Sequence, residues 1–191
     1  MGTTQTTPTV KDVVGTWSVD RAHSTAEFTA KHMMISTVRG AFLDFEGTFV
    51  IDEDPERASV EAVIRTASIQ TNDPRRDDHL RSGDFLETER FPEMRFRSTR
   101  VEVVSEEDRT FRIEGELTVR DVTRPLTLDA SVEGWRLGAD GTVERLAFVA
   151  RGQVRRKDFD LTWNQVLETG GVLVSDRVGV ELNITAVPAG S

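Results

Sequence analysis

Apolar and polar residues alternate with a period of two along most of the chain, the pattern of half-buried β-strands. Trp17 and Val19 open a first strand that ends near Asp20, and Ala26, Phe28 and Ala30 mark a second. Residues 38–51 read as one long strand, with Phe45, Gly47, Phe49 and Ile51 on one face and Asp44, Glu46 and Thr48 on the other. Asp52 to Pro55 has the composition of a turn, and Val60, Ala62, Ile64 and Thr66 mark the next strand. Met94 and Phe96 alternate with arginines, and the phase then slips before Val101 and Val103, which predicts a β-bulge. The clearest alternation runs from Phe111 to Val119, followed by Leu126, Leu128, Ala130 and Val132. A hairpin signal at Ala139-Asp140-Gly141-Thr142 leads to Leu146, Phe148, Ala150 and Gly152. Val178, Val180, Leu182 and Ile184 carry the last strand, so the pattern predicts about eight strands joined mostly by short turns.

Two segments break the alternation. Residues 73–81 read as a capped helix, with Asn72 or Asp73 as N-cap, Pro74 in the first turn and Gly83 as terminator. Lys157 to Ser175 has room for a helical turn and a loop. No internal repeat or low-complexity linker divides the chain. It reads as a disordered tail over 1–13, one domain over 14–187 and a frayed end over 188–191.

The fold class is all-β and antiparallel, as a sandwich or a closed barrel. The apolar faces are rich in small residues: Gly47, Ala62, Gly115, Ala130, Gly134, Ala150 and Gly152. Inside a barrel such positions leave room for a slender ligand. Alternatively, the glycines mark bulges and bends.

Composition supports the β class. The 191 residues include 23 valines, 22 threonines and 6 isoleucines, which suit a pleated surface. Cysteine is absent, which excludes disulfides, thiolate chemistry and cysteine metal sites. The formal charge of −9 disfavours nucleic acid, whose phosphates call for a basic surface. The longest apolar run is five residues, Leu146 to Ala150, far short of the ~20 that a spanning helix needs, so no integral membrane segment is expected. The polar opening residues lack a basic and an apolar segment of the secretory type, and the expected location is cytoplasmic. Gly2 with Thr6 loosely matches an acylation pattern. Oligomeric state is open, a homodimer among the options.

Catalytic and metal signals are weak. His23, His32 and His79 are scattered without ligand spacing, so no metal or cofactor is expected, and each reads as a hydrogen-bonded structural residue or a cavity-mouth residue. Ser24 follows His23 directly, so the two point to opposite faces of a strand and do not form a nucleophile and base. The run Arg75-Arg76-Asp77-Asp78-His79 reads either as an anion site or as a solvated helix with locally paired charges.

An ordered set of pieces then points to a family. They are Trp17-Ser18-Val19-Asp20, His23-Ser24, Lys31-His32-Met33, Val38-Arg39-Gly40-Ala41-Phe42 and Phe45-Glu46-Gly47. Ser68-Ile69-Gln70-Thr71, Arg76 to Ser82, Asp84-Phe85 and Phe91-Pro92-Glu93-Met94 follow. Gly115 to Val119, Val122-Thr123-Arg124-Pro125, Asp158-Phe159 and Val174-Ser175-Asp176-Arg177-Val178 complete the set. In this order, over about residues 15–186, the chain resembles the YceI-like, polyisoprenoid-binding proteins. The resemblance implies an extended eight-stranded antiparallel, lipocalin-like barrel with a short helical segment, enclosing an isoprenoid chain in an apolar pore.

On that basis the chain is expected to sequester or carry an isoprenoid-type amphiphile, such as a polyprenyl quinone or polyprenol. Phe28, Phe45, Phe49, Phe96, Phe111 and Phe148 are the expected pore wall, and His23, His32 and His79 the expected mouth. Two rivals stay open: a barrel hydrolase or isomerase using a cavity histidine as base, and a ligand-free stress or interaction module. Asp121 and Asp160 depart from the family pattern, which has glycine there, and this puts both local turns in question.

Overall fold

The computed structural model describes residues 8–168 and 171–190. Its strands are β1 (Gly15–Val19), β2 (Thr25–His32), β3 (Ser36–Phe42), β4 (Phe45–Ile51), β5 (Ser59–Arg65) and β6 (Ile69–Gln70). After one helix, α1 (Pro74–Arg81), come β7 (Glu93–Ser105), β8 (Thr110–Val119), β9 (Val122–Leu137), β10 (Val143–Arg155) and β11 (Val174–Pro188). All pair antiparallel. The order β1-β4-β5-β7-β8-β9-β10-β11 closes on itself, because β1 bonds both β4 and β11. The fold is therefore a closed eight-stranded barrel. β2 runs on along β11 beyond β1, β3 pairs with β2, and the short β6 pairs with the end of β3.

The long strand expected over 38–51 is in fact two. Phe42 and Phe45 both face inward although they are three residues apart, which strict alternation forbids. The chain bends out between them at Leu43 and Asp44, where the Leu43 N–H bonds the Ser68 carbonyl and Asp44 accepts from the Arg65 N–H. Thr66 also leaves the strand assigned to it. It starts a 3₁₀ turn, is fully buried, and donates from Oγ1 to the Phe91 carbonyl at 2.7 Å. The bulge before Val101 is present, with the β7–β8 register shifting between Ser98 and Arg100.

Helix α1 starts where its caps require. The Asp73 carboxylate accepts the Arg75 and Arg76 N–H groups, and Pro74 occupies the first turn. It ends at Ser82 rather than Gly83, with the Ser82 N–H and hydroxyl both on the His79 carbonyl. Asp77 is buried and accepts from the Thr71 N–H and hydroxyl. Arg76 donates to Thr71, and Arg81 to the carbonyls of Ala67 and Ile69. Arg76 and Asp77 of the charged run, with Arg81 beyond it, thus clamp the helix onto residues 67–71. Alongside stand local pairs of the kind the second reading expects, Arg76 with Asp73, Arg81 with Asp78 and His79 with Asp84.

Residues 1–7, with the Gly2/Thr6 pattern, and Ser191 lie outside the described residues. The tail expected to reach residue 13 is ordered before that point. Val10–Asp12 form a 3₁₀ turn, and the Val13 carbonyl accepts Trp17 Nε1 at 2.8 Å. At the other end β11 continues to Pro188, and the Ala189 N–H bonds the Thr16 carbonyl at 2.9 Å.

The interior has three layers. Trp17, Val143, Leu146 and Ala186 fill the end near the termini. Phe96, Leu126, Leu128, Ala130 and Ala150 form the middle, and Ile69, Leu86, Met94, Val119 and Phe159 the end under α1. Two inward glycines are set by close approach: a Cβ at Gly115 would lie 2.5 Å from the Phe96 ring, and one at Gly152 2.7 Å from Leu128.

Both departures from glycine keep the left-handed backbone, with φ of 62° at Asp121 and 59° at Asp160. Arg120 and Asp121 form the two-residue β8–β9 loop, both at positive φ, as a type I′ hairpin turn requires. Aspartate tolerates this conformation at a cost that glycine avoids. Asp121→Gly is therefore expected to raise stability by about 0.5 kcal/mol net of its unfolded-state entropy. The urea midpoint should rise at an unchanged slope; a lowered midpoint would refute the turn assignment.

Candidate functional site

Inward positions of the strands enclose a cavity of about 310 Å³. β2 contributes Ala26, Phe28 and Ala30; β4 contributes Phe45, Gly47 and Phe49; β5 contributes Val60, Ala62 and Ile64. β11 supplies Val174, Val178, Val180, Leu182 and Ile184 along the opposite wall. Leu80 of α1, with Phe85, Leu86, Phe159 and Leu161, covers the end away from the termini. The walls are almost entirely carbon. Glu27, Glu46 and Glu61 border the cavity from outward-facing positions, and the last two pair outside with Arg65 and Arg97.

Four of the six expected wall residues, Phe28, Phe45, Phe49 and Phe96, line this space. The other two do not. Phe148 packs edge-on against Phe49 at 5.4 Å in the layer that seals the barrel near the termini, and Phe111 packs beside Ala130 in the middle layer. Among the small residues Gly47 and Ala62 face the cavity. Gly115, Gly152, Ala130 and Ala150 are inward or buried, but their space is taken by neighbouring side chains.

The three histidines are not gathered at one mouth. His23 sits on the outside between β1 and β2, with Nδ1 2.9 Å from the Asp20 carboxylate. His32 ends β2, opposite Val174. His79 lies on α1, 2.8 Å from Asp84 and edge-on to Phe85 and Trp163, so Phe85 stands between it and the cavity. Ser24 is committed to the backbone of Asp20 and Thr185. Among the described residues, no three His, Cys, Asp or Glu side chains converge as a metal-binding group. No described helix is long and apolar enough to cross a membrane.

Sequence reasoning missed Arg156. Its side chain is buried and borders the cavity, and among the described residues no carboxylate lies within ion-pair distance of it. Its guanidinium donates to the carbonyls of Ser175 at 3.0 Å, Leu161 at 2.7 Å, Trp163 at 2.7 Å and Val174 at 3.4 Å. Burial pushes its pKa down, with the Asp176 charge opposing, yet a guanidinium stays protonated. The residue fastens residues 161–163 to the start of β11 over the cavity end.

Two carboxylates hold strands from outside. Asp20 sits below the usual carboxylate range because Arg145 and then His23 bond it. For Asp176 burial works the other way, but the Lys157 N–H and the Arg155 guanidinium outweigh it and hold the carboxyl low. A depressed folded pKa gives stability that is complete above the ordinary value and lost as pH falls through the depressed one. Asp176→Asn is therefore expected to lower the thermal midpoint at pH 7. Its difference from the parent should close as pH drops below about 3.9, and a constant difference would contradict the linkage.

The comparisons with known proteins agree with this architecture. The family model for the YceI-like domain matches residues 17–186, so the chain belongs to the YceI-like family. It is 38% identical over 152 residues to protein YceI of Escherichia coli O157:H7, covering 78% of each chain. The structure is similar to that of Burkholderia cenocepacia BcnA, with a TM-score of 0.72 at 22% identity over 88% of this chain and 99% of that one. It is also similar to a polyisoprenoid-binding domain from Saccharophagus degradans, with a TM-score of 0.64 at 14% identity over 90% and 98%. Both structural likenesses, at these identities, speak for the fold alone.

Proposed function

We propose that this member of the YceI-like family sequesters or carries the apolar tail of an isoprenoid-type amphiphile in its barrel. The observation behind the reading is the carbon-walled cavity of about 310 Å³ inside a closed sheet. Such a space is poor for water and favourable for hydrocarbon, at about 25 cal/mol per Å² of apolar surface buried. The Saccharophagus domain of the same fold is described as polyisoprenoid-binding, which supports the choice of chain.

The volume sets a scale. A dry apolar cavity of about 150 Å³ holds one benzene, so this one holds about a dozen carbons, or two to three isoprene units. A longer polyprenyl chain would have to displace the packed layer of Phe49, Phe148 and Leu146.

The lining supports binding over catalysis. Among the described residues no histidine borders the cavity, and the one cation there, Arg156, spends its donors on backbone carbonyls. Native mass spectrometry of freshly purified protein tests the proposal. A co-purifying lipid-sized mass that is lost on organic extraction is the expected result. A ligand-free protein that takes up no added geraniol or farnesol would overturn it.

A further inference from the structure

The ladder between β2 and β11 opens at one point. Val174 pairs with His32 and Val178 with Ala30, so Ser175, Asp176 and Arg177 together stand opposite Lys31. The Ser175 hydroxyl spans the gap, accepting the Lys31 N–H at 2.9 Å and donating to the Arg177 carbonyl at 2.9 Å. On the outer face at this bulge lies a groove of about 720 Å³, whose walls include Lys31, Gln153, Arg155, Asp176 and Arg177. Ala30 borders both the groove and the inner cavity. A single strand's thickness separates the two spaces where the hydrogen-bond ladder is already broken.

The groove is cationic on a chain whose formal charge is −9. Asp176 is neutralised by Arg155 at 3.0 Å and by the Lys157 N–H at 3.1 Å, and Asp158 also acts on Arg155. Lys31 Nζ donates to the Thr37 hydroxyl at 2.8 Å, and Arg177 is exposed. Among the described residues, neither Lys31 nor Arg177 has a carboxylate within ion-pair distance.

We infer that this groove is a head-group site for an anionic amphiphile. The carboxylate or phosphate sits between Lys31 and Arg177, and the tail passes the β2–β11 bulge into the cavity. The inference rests on the lipid-binding reading above and adds the charge class of the ligand and its route. Exposed charge pairs are weak and salt-sensitive, so the groove selects among amphiphiles while the tail supplies most of the affinity.

Dodecanoate, dodecyl phosphate and dodecanol, titrated into the full chain, test it. The double variant Lys31→Gln, Arg177→Gln is expected to bind both anions about tenfold more weakly and dodecanol unchanged. Gln153→Glu keeps the shape of the groove wall and adds a negative charge, and it should weaken the same two probes. Added salt should narrow the gap between the parent and the double variant for the anions. Equal anion binding by parent and variants, or an equal loss for dodecanol, would overturn the head-group site and leave the lipid-binding reading standing. A parent protein that takes up none of the three probes would overturn that reading and this inference with it.

Discussion

Ala62→Phe is expected to weaken binding of a twelve-carbon chain by at least about a hundredfold while the barrel stays folded. Ala62 faces the cavity from β5, between Gly47 on β4 and Phe96 on β7. A phenyl ring placed there occupies about half of the 310 Å³, on the same benzene scale. The chain then loses burial of roughly six carbons, at about 0.8 kcal/mol each. A loss of that order exceeds the factor of one hundred, and it leaves margin for rearrangement of the wall. Overpacking costs about 1–3 kcal/mol of stability, which circular dichroism and a urea melt would register separately. Ala130→Phe and Ala150→Phe are the controls. These residues lie in the packed middle layer rather than on the cavity wall, so the substitutions should destabilise the barrel without a comparable selective loss of ligand. A folded Ala62→Phe protein that binds the chain as tightly as the parent would place the ligand elsewhere.

Arg156→Met is expected to destabilise the fold strongly. It removes the donors that four carbonyls of the 161–163 and 174–175 segments share. Leaving buried acceptors unsatisfied costs about 1–3 kcal/mol per group, partly relieved by water reaching the loosened loop. A total of about 3 kcal/mol or more is therefore expected in the urea melt. Arg156→Lys should recover less than half, because one ammonium lacks the planar spread that meets Ser175 on one side and Leu161 and Trp163 on the other. Amide hydrogen exchange should also rise first in residues 160–168 of the variant, where the pinned loop is freed. A Lys variant as stable as the parent would show that charge, rather than the fork of donors, holds the loop.

The alternation of side chains made the barrel legible, and it failed where the chain slips phase. Val19 and Ala26 both face the cavity, as do Phe42 and Phe45, although each pair breaks the period of two. Both slips are absorbed by bends on the same flank, at Asp20–Ser24 and at Leu43–Asp44, and the Arg21–Asp44 ion pair ties them together. The break near Asp20 is legible in the sequence as the end of a strand, whereas the one at Leu43–Asp44 lies inside a run of β-formers that hides it.

The wall was legible only by parity. Phe111 and Phe148 have the inward parity of wall residues. Whether an inward ring meets empty space or another side chain depends on the opposite strands, which the local pattern does not report. Arg156 shows the converse. It continues the inward series Leu146, Phe148, Ala150, Gly152, Val154, so parity already pointed it at the interior. Its position in the run Arg155-Arg156-Lys157-Asp158 disguised it as surface charge. The histidines misled for a related reason. Residue type suggested a polar mouth, but His23 lies on the outer face at the bend between β1 and β2, and His79 is screened from the cavity by Phe85.

Isothermal titration with a series of straight-chain alcohols of increasing length tests the lipid-binding cavity most directly. A carbon-walled space of about 310 Å³ requires affinity to rise about fourfold per added methylene, from about 0.8 kcal/mol each, up to about a dozen carbons. Beyond that length the gain should level off as the chain meets the layer around Leu146 and Phe148, and the heat-capacity change should be negative throughout the rising part. Affinity independent of chain length, or no binding at any length, would contradict it.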